Sequence, residues 1–206
     1  MNVLLINGSP HEKGCTYTAL SLIAGELKAQ GIETEILHVG GQPVGGCIGC
    51  GGCRSGNGCV FGGVVNEAIE KAKTADAFVF GSPVHYASAA GNMASFMDRL
   101  AYAGGKYLAY KPAAVCCSAR RAGTTSTLDQ LVKYPQFFHM PLVNGSYWAM
   151  VHGSNPEQVL QDAEGCAVMQ ELGRNMAWLL RCIEAGKAAG IDHPQNPPRP
   201  MTSFIR

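Results

Sequence analysis

The stretch NVLLINGSPHEKGCT, residues 2–16, sets the fold of this chain. Its first part, residues 2–6, is almost wholly apolar, as expected of a β-strand buried on both faces. The polar residues 7–10 end that run. Apolar residues at helical spacing follow and predict a helix over residues 15–30. The chain therefore opens with a strand, a loop and a helix.

The same alternation of strand and helix patterns continues along the chain. Short apolar runs predict the further strands, and apolar stripes at helical spacing predict the further helices. The predicted strands are residues 2–6, 32–39, 77–80, 112–117 and 142–150, and the later helices are residues 64–74, 93–100, 125–138 and 156–188.

This order of elements favours right-handed crossovers and a parallel sheet with helices on both faces. We predict an α/β fold of three layers, a doubly wound, five-stranded parallel sheet with the flavodoxin-like order 2-1-3-4-5. We expect a single domain over residues 1–190. Residues 191–206 are too rich in proline for a helix and are predicted to form an extended C-terminal tail.

Composition excludes several classes of protein. The 206 residues are 47% hydrophobic and 15% charged, with a formal net charge of +1. This balance provides a large core and gives no field that would collect nucleic acid or an anionic membrane. Neither a membrane-spanning run nor a signal-peptide core is legible. We expect a soluble cytoplasmic protein that binds neither nucleic acid nor membrane.

The loop after the first strand has the composition of a phosphate site. Ser9 and Thr16 offer hydroxyl groups, His11 offers a ring donor, and Gly8 and Gly14 allow close approach of the backbone. The free N–H groups at the start of the following helix also favour an anion. In the alternative interpretation this is an ordinary turn, in which the hydroxyl groups only cap the helix.

Two later loops are expected at the same edge of the sheet. Residues 81–86, Gly-Ser-Pro-Val-His-Tyr, combine backbone donors with ring surfaces that suit a flat heterocycle. The loop after the fourth strand brings Ser118, Arg120, Arg121 and Gly123. Its arginines suit a flavin edge, the phosphates of a nicotinamide cofactor or an acidic substrate. The alternatives are a tight turn and a solvated helix start.

Together with residues 91–100, these loops resemble the NADPH-dependent FMN reductase family, which has a flavodoxin-like fold. The resemblance implies that Ser9, His11, Cys15 and Thr16 hold the FMN phosphate. It also implies that the isoalloxazine ring is bordered by Pro83, Val84, His85 and Tyr86. Asp98 and Arg99 are expected to form a structural pair at a helix end.

Four of the nine cysteines lie close together, with the spacing C-x2-C-x2-C-x5-C between residues 47 and 59. Four thiolates suit a [4Fe–4S] cluster or zinc, and three in one compact run favour the cluster. In a chain with FMN loops, this spacing resembles the iron–sulfur flavoproteins of anaerobic microbes. That resemblance implies four cluster ligands, Cys47, Cys50, Cys53 and Cys59.

Free thiols or a redox pair such as Cys50 and Cys59 remain alternatives at this point. The other cysteines of the apolar segments, Cys116, Cys117, Cys166 and Cys182, are predicted to be buried structural thiols.

The leading functional prediction is an NAD(P)H-dependent oxidoreductase with bound FMN, which reduces flavin, quinone, nitro or azo acceptors and needs no catalytic protein acid or base. The alternative is an electron-transfer iron–sulfur flavoprotein with FMN and a [4Fe–4S] cluster, served by a ferredoxin. A third hypothesis is a binding module that has lost the flavin. The family resemblance implies a homodimer or homotetramer.

Overall fold

A computed structural model describes residues 1–198, 200–202 and 204. Its strands are β1 (Asn2–Asn7), β2 (Glu33–His38), β3 (Ala77–His85), β4 (Ser88–Ala89), β5 (Ala113–Ala119) and β6 (Met150–His152). The parallel strands stand in the order β2-β1-β3-β5-β6, and β4 pairs antiparallel with the end of β3. Counting the parallel strands alone, this is the predicted order 2-1-3-4-5, so the fold prediction is confirmed.

Helices cover both faces of the sheet. They are α1 (Cys15–Ala29), α2 (Val64–Thr74), α3 (Gly91–Gly104), α4 (Thr124–Phe137), α5 (Pro156–Val159) and α6 (Ala163–Ala188), and short 3-10 turns span Gly52–Ser55 and Gly105–Tyr107. Within the described part of the chain, none of them combines the length and the apolar character needed to cross a membrane.

The pleat of β1 explains its apolar sequence. Val3 and Leu5 pack into the core beneath α1 and α6, whereas Leu4 and Ile6 pack into the core beneath α2 and α3. All four side chains are almost completely buried. Burial of each such side chain contributes roughly 1.5–3 kcal/mol. The strand is therefore fixed from both sides, and its carboxyl end is a rigid base for the loop that follows.

The third strand is longer than predicted. The sequence Gly81-Ser82-Pro83 suggested an end at Phe80, but pairing with β5 continues as far as Pro83 and Ser118. The carbonyl of Gly81 accepts from Gly8 N and therefore faces the β1 side of β3. The polar backbone groups of Pro83, two residues later, face the same side, where β1 has already ended. The N–H that proline lacks therefore breaks no ladder hydrogen bond.

The fifth parallel strand was predicted over residues 142–150 and lies at Met150–His152 instead. Leu142 makes only an isolated bridge to Ala113. The intervening residues leave the sheet because Ser146 N donates to the Glu171 carboxylate on α6, at 2.7 Å.

The last helix is divided, not continuous over residues 156–188 as predicted. Asp162 lies between α5 and α6 and caps α6 by accepting from Gly165 N at 3.0 Å. The same carboxylate accepts from His152 N at 2.7 Å and so ties this break to the end of β6.

The predicted tail forms neither helix nor strand over residues 191–198. The ring of His193 stacks on Tyr110 with centroids 4.4 Å apart. The residues Arg199, Ser203, Ile205 and Arg206 of this tail lie outside the described residues, and the division between domain and tail stays a prediction.

We predict opposite effects of one substitution at two helical glycines. A Cβ added at Gly173 would lie 2.7 Å from the carbonyl oxygen of Ile23, where α6 crosses α1, whereas a Cβ at the exposed Gly25 would meet nothing within 4 Å. Gly173→Ala should lower the free energy of unfolding by about 1–3 kcal/mol. Gly25→Ala should raise it by about 0.5–1 kcal/mol. Urea titration measures both, and equal effects would contradict the close crossing.

Candidate functional site

The loops singled out in the sequence meet at the carboxyl edge of the sheet. The ring of His38, at the end of β2, lies 2.8 Å from the carbonyl oxygen of Ser9 in the first loop. A Cβ on Gly40 would overlap that same oxygen. Gly123, after β5, packs against the Cα of Ala87 in the β3–β4 hairpin. Two pairs of neighbouring loops are thus in direct contact.

Asn7 organises the first loop, and the sequence prediction missed it. Its Oδ1 accepts from Ser9 N at 3.1 Å, and its Nδ2 donates to the carbonyl of Glu12 at 2.9 Å. Ser9 Oγ then accepts from His11 N at 3.1 Å. Asn7 is completely buried. A polar residue at the end of an otherwise apolar strand was the available signal.

The start of α1 presents unused donors. Its N-cap, Gly14, has no side chain, and the N–H groups of Thr16 and Tyr17 meet no acceptor among the described residues. Such a helix start is suited to a phosphate. The exposed His11 lies in the same loop.

Three of the predicted phosphate or cofactor side chains are engaged within the protein. Thr16 Oγ1 and Ser118 Oγ are buried and lie 2.8 Å apart, which ties α1 to the end of β5. The Cys15 thiol donates to the carbonyl of Gly153 at 3.5 Å. Burial raises the pKa of this thiol, so it stays neutral. Backbone N–H groups are consequently the main donors left for an anion.

The predicted ring-binding residues lie at the β3–β4 hairpin. Pro83 and Val84 are half-buried, and His85 and Tyr86 are exposed. Tyr86 and Ala87 form the turn with φ values of 51° and 57°. A two-residue hairpin of this kind favours glycine or asparagine, and each other residue in the left-handed region costs roughly 1–2 kcal/mol.

Helix α4 holds the strained hairpin in place. Ser126 Oγ donates to the carbonyl of Ala87 at 2.6 Å. Gln130 Oε1 accepts from Ser88 Oγ at 2.6 Å and from Ala89 N at 2.9 Å. These two residues were missed because a serine and a glutamine on a helix carry no distinctive sequence signal. The predicted Arg120 and Arg121 are exposed beside this helix start.

The four clustered cysteines line one cavity of about 320 Å³. Cys47 and Cys50 are exposed, and Cys53 and Cys59 are half-buried. Among the described residues, no three metal-binding side chains are gathered closely enough to hold a single ion. The four cysteines line the same space, and four thiolates suit a [4Fe–4S] cluster or zinc.

The cysteine segment, residues 40–63, is fastened to α3. Asn92 Nδ2 donates to the carbonyls of Gly40 and Gln42, and its Oδ1 accepts from Val44 N at 3.2 Å. Further along α3, Arg99 donates to the same segment.

The expected pairing of Asp98 with Arg99 is wrong. Both lie within α3 and not at its end, on different faces. Asp98 accepts from Tyr134 Oη at 2.6 Å. Arg99 turns to the cysteine segment because adjacent helical positions point in directions about 100° apart.

The remaining cysteines differ from one another. Cys116 and Cys117 are buried as predicted, and burial raises the pKa of Cys117 to about 12. Cys166 is only half-buried and Cys182 is exposed, so the prediction of burial is wrong for Cys182. That residue lies on the outer face of α6, whose apolar stripe is turned towards α1 and the sheet.

Comparison with known proteins supplies the family. The sequence profile of NADPH-dependent FMN reductases matches residues 1–155. The chain belongs to this family. An iron–sulfur flavoprotein of Methanocaldococcus jannaschii is 27% identical over 192 residues, which are 89% of this chain and 100% of that protein. An iron–sulfur flavoprotein of Archaeoglobus fulgidus is 35% identical over 99 residues, 48% of each protein.

Solved structures of flavin proteins share the FMN reductase fold. RosB, with a bound flavin intermediate, covers 100% of this chain and 94% of its own, with a TM-score of 0.69 and 14% identity. An NADH:FMN oxidoreductase in its apo form covers 88% of this chain and 89% of its own, with a TM-score of 0.61 and 19% identity. At such identities these structures establish the fold alone.

We predict that FMN binding in this family member depends on the close approach of Gly40 to Ser9. Gly40→Ala should displace the first loop and raise the Kd for FMN at least about tenfold, a loss of about 1.4 kcal/mol. Gly45→Ala is the matched control, because a Cβ there would meet nothing within 4 Å. Fluorescence titration of FMN into each apoprotein measures the affinities. Equal Kd values for the two variants would contradict the prediction.

Proposed function

We propose that this protein is an electron-transfer iron–sulfur flavoprotein, a flavin-dependent oxidoreductase that carries a [4Fe–4S] cluster in addition to FMN. The observation that carries the proposal is the placement of all four clustered cysteines around one cavity. The iron–sulfur flavoprotein of Methanocaldococcus jannaschii, which matches 89% of this chain, supports it. This was the alternative prediction from the sequence, and we propose it ahead of a cluster-free reductase because of the cavity and this relative.

The residues present fit FMN. The uncapped start of α1 offers free N–H groups to the phosphate, and the loop is held in shape by the buried Asn7. The strained hairpin at Tyr86 and the neighbouring Gly123 border the proposed place of the ring. When bound, FMN supplies two-electron chemistry and the cluster supplies one-electron chemistry. The side chains named here bind and orient, and none of them is proposed as an acid or base.

The residues around the cavity also fit a cluster. Residues 40–63 contain one charged side chain, Arg54, and no carboxylate. Left-handed glycines, among them Gly51 with φ of 71°, allow the chain to wrap around the cavity. The thiolates of such a site are anionic, and an acid-free, glycine-rich wrapping avoids repulsion against them.

An electron-carrier partner is proposed because the mouth of the cavity is apolar and open. Ile48, Val60, Phe61 and Tyr102 are all more than half exposed. Exposed apolar side chains that are grouped in this way are typical of a contact surface. A small protein carrier of the ferredoxin type is the proposed partner, and a homo-oligomer is the proposed assembly.

The NAD(P)H-dependent reductase is the second candidate function. It is favoured by Arg120 and Arg121, which are exposed beside the hairpin and form no ion pair among the described residues. Their guanidinium groups suit the phosphates of a nicotinamide cofactor. Rapid anaerobic bleaching of the flavin by NADPH alone would favour this candidate.

We predict that protein purified without oxygen contains FMN and about four irons and four acid-labile sulfides per chain, as a [4Fe–4S] cluster requires. Cys53→Ser should lose most of the iron and the broad visible absorbance but retain FMN. Cys182→Ser is the matched control, because this exposed cysteine lies on α6, away from the cavity.

Ultraviolet–visible spectra together with iron and sulfide assays measure these outcomes. A flavin spectrum with negligible iron in the wild-type protein would overturn the cluster and return the cluster-free reductase to first place. Equal iron loss in both serine variants would contradict the assignment of Cys53.

A further inference from the structure

One arginine on α3 is buried against the cysteine segment. Arg99 is only 6% exposed. Its Nε donates to Cys59 Sγ at 3.2 Å, and its other two nitrogens donate to the carbonyls of Gly45 and Gly62 at 3.3 and 3.1 Å. The ring of Phe61 lies 5.4 Å from the guanidinium carbon. All three nitrogens are thus directed at the segment that carries the cysteines.

This buried charge lacks a carboxylate. Arg99 takes part in none of the ion pairs formed by the described residues. The cysteine segment has no Asp or Glu to offer it. A buried arginine is costly unless an anion compensates it. The anion that the segment can supply is a thiolate, and the arginine already lies within hydrogen-bond distance of Cys59.

Cys59 is also the cysteine that is fixed from the protein side. Asn66 Oδ1 accepts from Cys59 N at 2.7 Å, and Asn66 Nδ2 donates to the carbonyl of Cys59 at 3.0 Å. Asn66 therefore holds both the N–H and the carbonyl of Cys59, and the sulfur of this residue faces Arg99. Cys47 and Cys50, by contrast, are open to water. A charge acting at the half-buried Cys59 is therefore screened less by solvent than one acting at Cys47 or Cys50.

We propose that Arg99 is a positioning residue that holds Cys59 as an anionic cluster ligand and raises the reduction potential of the cluster. The inference rests on the proposed function, since it requires the cluster. Reduction adds one electron to a centre that already carries four thiolates. The positive charge and the Nε–H···Sγ hydrogen bond stabilise the more negative reduced state more than the oxidised state.

The test compares Arg99→Gln with Arg54→Gln in reconstituted, FMN-loaded protein. Both substitutions remove one positive charge beside the same cavity, but Arg54 is exposed and makes no hydrogen bond to a sulfur among the described residues. Anaerobic redox titration, followed by the electron paramagnetic resonance of the reduced cluster, gives each potential. Arg99→Gln should lower the equilibrium constant for reduction at least tenfold, about 59 mV for a one-electron couple. Arg54→Gln should change it by less than threefold.

Arg99→Lys keeps the test decisive if the glutamine variant retains FMN but does not hold iron. Lysine preserves the charge, but it cannot span one sulfur and two carbonyls as the planar guanidinium does. The lysine variant should hold the cluster with a potential below that of the wild type. Circular dichroism and FMN content verify that each variant is folded.

Two results overturn the inference and are distinguishable. A wild-type protein that carries FMN without iron overturns the proposed cluster and this inference together. A wild-type protein that carries the cluster, with the same potential in Arg99→Gln or Arg99→Lys as in Arg54→Gln, overturns the inference alone. Arg99 would then merely fill space between α3 and the cysteine segment.

Discussion

Burial of β1 and β3 on both faces is the constraint on which the site depends. Two separate cores hold these strands, one beneath α1 and α6 and the other beneath α2 and α3. The carboxyl ends of the parallel strands are thereby fixed along one edge, where ligands bind in such sheets. Asn7 is the last residue of β1, and its side-chain hydrogen bonds with the backbone of Ser9 and Glu12 hold the following loop in a defined conformation.

Helix α3 connects the carboxyl edge of the sheet to the cysteine segment and holds that segment in place. It begins just after the β3–β4 hairpin. Asn92, near its start, holds the beginning of the segment, and Arg99 holds the part around Cys59. Seven residues of helix span about 10 Å. One rigid element thus fixes the proposed cluster site relative to the proposed flavin hairpin, although the segment itself has little secondary structure.

The sequence was sufficient for the order of the sheet because doubly buried strands and amphipathic helices leave strong patterns. It was insufficient where partners distant in sequence decide the outcome. Pro83 stays in a strand because β1 has already ended beside it, and Leu142 begins no long strand because Ser146 is drawn to Glu171. In the same way, the cysteine motif could be recognised from its spacing in the sequence, but the contact of Arg99 with this motif could not. Its partner Cys59 lies 40 residues away along the chain.

Two departures from local preference lie at the proposed sites. Tyr86 and Ala87 occupy a turn that favours glycine, and α4 holds them there through Ser126 and Gln130. Arg99 is buried without a carboxylate. Folding alone favours neither arrangement, since glycine in the turn and an apolar residue on α3 would be less costly. The flavin proposed beside the hairpin and the anionic cluster proposed beside Arg99 would each compensate part of one of these costs.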